Sequence, residues 1–211
     1  MSTAIKDLAQ GTSISGVMIP DSKLAREATE LVHDTESTLL FNHSTRVYYF
    51  ASLAGKRREL KFDSELLYIA AMFNDVGLTP RYSSKSDRFE VDGANTARAF
   101  LRRHNIPQFE IDTVWTAIAL HTTPGIPQYM QPVVALLTNG VEMDVLGIAY
   151  SEFSDADREA VIAAYPRTEH FKEDRPSTTA SSTSRRRPSE TSKRMCSPIK
   201  ILAFSGATFA A

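Results

Sequence analysis

Ala71-Met72-Phe73-Asn74-Asp75-Val76-Gly77-Leu78 places a polar pair directly after an apolar run and directly before a glycine turn. A carboxylate that follows Ala70, Ala71, Met72 and Phe73 sits at the end of a buried helix, where its charge is costly unless something compensates it. A bound cation is one compensation, and a helix-end cap or a salt bridge is another. The stretch therefore asks two things: what surrounds Asp75, and why an asparagine precedes it.

The flanking sequence is helical almost throughout. Asp21-Ser22 offers a cap, and Leu24, Ala28 and Leu31 or Val32 follow at helical spacing. The same reasoning predicts helices near 21–35, 40–56, 63–74, 91–104, 107–121, 130–146 and 154–164. Turn chemistry separates them: Gly77 with Pro80, Asn105 with Pro107, Pro124 with Gly125 and Pro127, Gly147, and Pro166. Val47-Tyr-Tyr-Phe50 would pass for a strand in isolation. His43, Val47, Phe50 and Ala54 nevertheless form a continuous helical stripe, which decides against it. The expectation is an all-α bundle, preceded by an extension at 1–20 and spanning 21–174.

Four of the apolar stripes end or break in a polar residue. His43 lies on the stripe of its own helix, and Asp75 follows the run just described. His121 ends Val114-Trp-Thr-Ala-Ile-Ala-Leu-His121, and Asp144 extends the stripe of Val133, Leu137 and Gly140 or Val141. One buried polar residue is routine, whereas several in similar contexts suggest that they meet. His33, Asp34 and His104 sit in polar surroundings and read as surface residues, as does His170.

The composition narrows the function classes. The chain has 211 residues, 42% of them hydrophobic, and a net charge of -1, so it gives no electrostatic case for nucleic acid or an acidic membrane surface. Cys196 is the only cysteine, which excludes an intramolecular disulfide and any cage of paired cysteines. Metal chemistry would have to use His, Asp, Glu or Asn. No signal-peptide pattern and no run of about 20 apolar residues is seen, so a cytoplasmic protein is expected. The expected partners are a small-molecule substrate and, as an option left open, a second copy of the chain. After about Asp174 the sequence turns to Ser, Thr and Arg without apolar periodicity, and residues 175–211 are expected to be disordered.

The ordered set His43, Asn74-Asp75 and Asp144 resembles the signature of the HD-domain superfamily, in which a His, a His-Asp pair and an Asp gather on a helical bundle. Longer blocks, namely F-N-H-S-T-R-V-Y-Y-F, F-N-D-V-G-L-T, R-F-E-V-D-G-A, V-W-T-A-I-A-L-H-T-T-P-G-I-P and D-V-L-G, resemble its cyanamide hydratase-like branch from roughly Pro20 to Lys172. The resemblance implies a metal shell of His43, Asn74, Asp75 and Asp144, with Glu142 and Asn139 as neighbours that could take the last place. It implies a divalent metal, zinc first and iron or manganese as alternatives. It also implies Asp75, His121 and Glu90 as catalytic residues in a hydro-lyase that converts cyanamide to urea. Zinc with an open position would bring the pKa of its water to about 7, and His121 would protonate the nitrile nitrogen. Phosphohydrolysis is the alternative activity, and an impaired HD protein is the third reading.

Two features depart from that pattern. Asn74 stands where the pattern has His, and an amide oxygen binds zinc less well than imidazole does, so a weakened site is expected. The tail also differs from the family's helical continuation. Arg187 to Ser197 can be encoded so that a shifted frame reads T-F-G-N-V-K-A-D-V-L, which resembles the missing block. A frameshifted tail is therefore expected, and the gene's nucleotide sequence decides it.

Overall fold

The computed structural model describes residues 13–167 and builds them from seven α-helices. These are α1 (Lys23–His33), α2 (Thr38–Arg57), α3 (Ser64–Phe73), α4 (Phe89–Arg103), α5 (Gln108–Leu120), α6 (Pro132–Leu146) and α7 (Asp155–Ala164). Among the described residues the β pairing is limited to an isolated bridge between Ile14 and Val17. The all-α bundle expected from the stripes is what forms, and Val47 to Phe50 lie inside α2. The described residues fall within one compact unit, Met1–Phe171. The expectations for residues 175–211, disorder and frameshift alike, lie outside the described residues.

The helix ends follow from local chemistry. Ser22 accepts a hydrogen bond from the Ala25 amide at 2.9 Å, Asp63 from Glu65 and Leu66 at 2.9 and 3.0 Å, and Ser154 from Asp157 at 3.1 Å. Each satisfies amides that have no partner within their own helix. α6 begins at Pro132, whose missing N–H costs nothing there, and closes on Gly147 at φ 67°. Gly147 and Ile148 donate back to Met143 and Glu142 at 3.1 and 3.2 Å, a pattern that needs a left-handed residue at the turn.

α2 and α3 are the interior of the bundle. Ser44 to Gly55 on α2 and Leu66 to Phe73 on α3 are buried on every face, as expected for helices surrounded by others. α6 lies along α2, and Gly140 permits their closest approach, since a Cβ there would overlap the Val47 carbonyl. α4 and α5 pack as a pair beside α3. Tyr48 and Tyr68 meet edge to face at 5.0 Å, and Phe73 and Phe100 at 5.2 Å.

The described stretch before α1, residues 13–22, is tied to the bundle. Ile14 and Val17 are buried in the core, and the Tyr48 hydroxyl donates to the Met18 carbonyl at 2.7 Å. Among the described residues no helix is long and apolar enough to cross a membrane.

Candidate metal and acid-base site

The fold gathers the ends of several helices in one place. His43 lies in the second turn of α2, Asn74 and Asp75 follow α3, His121 caps α5, and Asp144 sits in the last turn of α6. Asn74, Asp75, His121 and Asp144 are all buried. Each side chain then finds a different environment.

Asp144 is saturated. Arg46 Nε and Nη2 reach its two oxygens at 2.9 Å each, His43 Nδ1 donates to Oδ2 at 2.7 Å, and Arg167 Nη2 donates to Oδ1 at 2.8 Å. Burial alone would raise this carboxyl. The hydrogen bonds and charges of His43 and Arg46 outweigh it and hold the pKa down to about 2. An ionised Asp144 can only accept, so the proton between it and His43 sits on His43 Nδ1.

Asp75 is the opposite case. His43 Nε2 stands 3.3 Å from its Oδ2 and His121 Nε2 stands 3.8 Å from its Oδ1. His121 Nδ1 lies 2.7 Å from the Ile118 carbonyl, an acceptor, so that nitrogen must carry the proton. Burial pushes the His121 pKa down and keeps the ring neutral. In this tautomer its Nε2 presents a lone pair.

Asn74 faces a third environment. The Ser44 hydroxyl, with one proton to give, stands 3.2 Å from Asn74 Oδ1 and 3.4 Å from Glu36 Oε2. Asn74 Nδ2 and Glu36 Oε1 are buried without a hydrogen-bond partner among the described residues. Burial, reinforced by the charge of Asp75, raises the Glu36 pKa to about 8 despite the Ser44 hydrogen bond. Glu36 is thus a neutral acid at pH 7.

Glu90 is buried beside these groups but is held by Arg88 and Thr122. Burial would raise its pKa, and the hydrogen bonds of Arg88 and Thr122 bring it below the usual range. It reaches His121 through its charge. Its hydrogen bond with Thr122 ties the start of α4 to the residue after His121.

The residues fit a divalent metal in part. Two ligands on a tetrahedral zinc, with bonds of about 2.0–2.2 Å, stand ~3.3 Å apart, which is the separation of His43 Nε2 and Asp75 Oδ2. His43 thus stands between two carboxylates, with Nδ1 toward Asp144 and Nε2 toward Asp75. The arginines and His43 engage both oxygens of Asp144, and Asn74 Oδ1 faces the Ser44 hydroxyl at 3.2 Å. Among the described residues no group of three or more His, Cys, Asp or Glu side chains is placed to hold a metal ion.

Arg46, Ser44 and Glu36 belong to the site without being marked by the sequence pattern. Arg46 lies three residues after His43 and so beside it on α2, and a charge next to that apolar stripe was the available signal. Glu36 lies in the polar run His33-Asp34-Thr35-Glu36-Ser37, and nothing local marks it as buried.

Comparison with known proteins identifies the family. No curated protein matches the chain. The HD domain matches residues 40–174, a span that covers His43, Asn74, Asp75, Glu90, His121 and Asp144. HD domains typically bind divalent metals and are usually metal-dependent hydrolases. On that match, which takes in most of the chain, the protein belongs to the HD-domain family.

Proposed function

We propose that this HD protein is a metal-dependent hydro-lyase that hydrates a small neutral nitrile-type substrate, with cyanamide to urea as the reaction its sequence blocks resemble. His43 and Asp75 would hold the ion. A bound divalent ion acts as a Lewis acid and lowers the pKa of a water from 15.7 to about 7. Asp144 fixes the orientation of His43 through Nδ1, as a carboxylate behind a ligand histidine does.

The observation that carries the choice of substrate class is the state of the arginines. Arg46 and Arg167 are committed to Asp144, and Arg88 to Glu90. A phosphoester would need guanidinium groups free to clamp its oxygens. A neutral electrophile needs none.

The reading is tested by supplying metal-loaded protein with cyanamide and, separately, with nucleotides. Urea release that a chelator abolishes is the expected result. Phosphate release without urea would overturn it in favour of phosphohydrolysis. A third reading, an impaired enzyme, draws on the Asn74 amide, whose oxygen is turned to Ser44. Absence of both products, with no metal bound, would favour it.

A further inference from the structure

We infer that the chain pairs with a second copy of itself through the apolar patch at the N-terminal end of α6, with Tyr129 of each copy seated in a groove of the other. The pairing does not depend on the ion or the reaction proposed above.

A knob and a hole stand side by side there. The turn from Ile126 to Met130 is closed by Tyr129 N, which donates to the Ile126 carbonyl at 3.1 Å, and by Met130 N, which donates to the Pro127 carbonyl at 3.0 Å; Pro127 itself is buried. This turn holds out Tyr129, which is 82% exposed. Next to it a groove of about 140 Å³ lies between Phe109 and Thr113 on α5 and Met130, Gln131 and Val134 leading into α6. An apolar cavity of about 150 Å³ admits benzene, so the groove has room for an aromatic ring. Thr113 Oγ1 stands 2.9 Å from Gln131 Oε1, which joins the two walls before any partner arrives. A surface that carries both a projection and its receptacle is self-complementary, as a two-fold interface requires.

The size and chemistry of the patch fit that use. Phe109, Ile126 and Met130 are also exposed, by 68%, 53% and 41%. At about 150–250 Å² for a whole aromatic side chain, Phe109 and Tyr129 offer on the order of 300 Å² between them. Ile126 and Met130 extend this toward the roughly 450 Å² of apolar area that one partner brings to a standard interface of about 800 Å² per side. Aromatic residues and Met are enriched at interfaces, and charge is depleted in their cores. Among the described residues that line the groove, Asp112 alone is charged. Its Oδ1 accepts from Gln108 Nε2 at 2.8 Å, and a carboxylate has further lone pairs to accept the phenol O–H that burial would otherwise strand.

A second apolar group, Val145, Leu146, Ile148 and Tyr150, is exposed at the other end of α6. The 15 residues of that helix set its ends about 22 Å apart. Arg167, the last described residue, donates to the Asp144 carbonyl at 2.7 Å, so the described chain finishes at the end of α6 away from Tyr129.

Analytical ultracentrifugation of the full chain tests the pairing, on variants shown by circular dichroism to be folded. The wild type is expected to sediment as a dimer at micromolar concentration. Tyr129→Asp and, separately, Phe109→Asp should raise the dimer dissociation constant at least about 30-fold, the loss expected of a central interface residue. Leu146→Asp should leave it within about threefold, as a surface change outside the interface does. A monomeric wild type, a dimer that survives both Tyr129→Asp and Phe109→Asp, or a dimer that Leu146→Asp dissociates in their place would overturn the inference.

Discussion

Asp75 and Asp144 are both buried aspartates beside the same histidine, yet they live in opposite electrostatic worlds. Asp144 receives hydrogen bonds from two guanidinium groups and an imidazole. Asp75 faces two imidazole nitrogens at 3.3 and 3.8 Å and no guanidinium. The difference separates a carboxylate whose oxygens are fully hydrogen-bonded from one that meets only imidazoles. It also shows that a family signature names positions, while neighbours decide which atoms those positions can offer.

The contrast can be broken first from the structural side. Arg46→Met removes the main partner of a buried charge and is expected to cost about 3–5 kcal/mol of stability, read by chemical denaturation. A loss below 1 kcal/mol would mean that Asp144 is not the anchor described here. Asp75→Asn should do the reverse. Its stability should stay within about 1 kcal/mol of wild type, while metal-dependent turnover falls on the order of 100-fold, equivalent to about 2.7 kcal/mol.

Glu36 sharpens the picture through pH. Its pKa is raised from 4.5 to about 8 in the folded chain, so between those values the folded state binds a proton that the unfolded state has released. Stability contributed by this group therefore falls as pH rises, by up to about 1.4 kcal/mol per unit. From about pH 6 to 7.5 the loss is roughly 2 kcal/mol, and Glu36→Gln should flatten it in thermal melts across that range. An unchanged slope would remove Glu36 as its source.

Asn74→His should bind zinc more tightly than wild type, by roughly tenfold on the preference of zinc for imidazole over amide oxygen; equal affinity in a titration would show that position 74 does not reach the ion in either form. The smallest effect belongs to Arg167. Its side chain is half-exposed, and Arg167→Gln should cost under about 1 kcal/mol, which separates it from Arg46 on the same carboxylate.

Much of the bundle was legible in the sequence because helices announce themselves twice, by stripe and by cap. Ser22, Asp63 and Ser154 cap where the pattern begins, and Gly147 ends α6 where the apolar stripe ends. The meeting of His43, Asp75, His121 and Asp144 was legible for the same reason, since stripes that share a core bring their polar ends together. What each group presents was not legible. That depends on partners far away in sequence, such as Asp144 for Arg46 and Glu36 for Ser44, and on which ring nitrogen finds an acceptor. His121 is an example, since the Ile118 carbonyl sets which of its ring nitrogens carries the proton.

Arg46 also reaches past the site. Its Nη1 donates to the carbonyls of Tyr165 and Pro166 at 3.0 and 3.4 Å, while Asn42 reaches the Pro166 carbonyl at 3.0 Å. The segment after α7 is thereby riveted to α2 by a group that also holds α6. Peeling it away would strand a guanidinium N–H in the interior, at a cost comparable to a lost buried hydrogen bond. This end of the chain and the reaction centre should therefore open as one cooperative unit, and amide exchange near Tyr165 should slow and quicken in step with that of the last turn of α6.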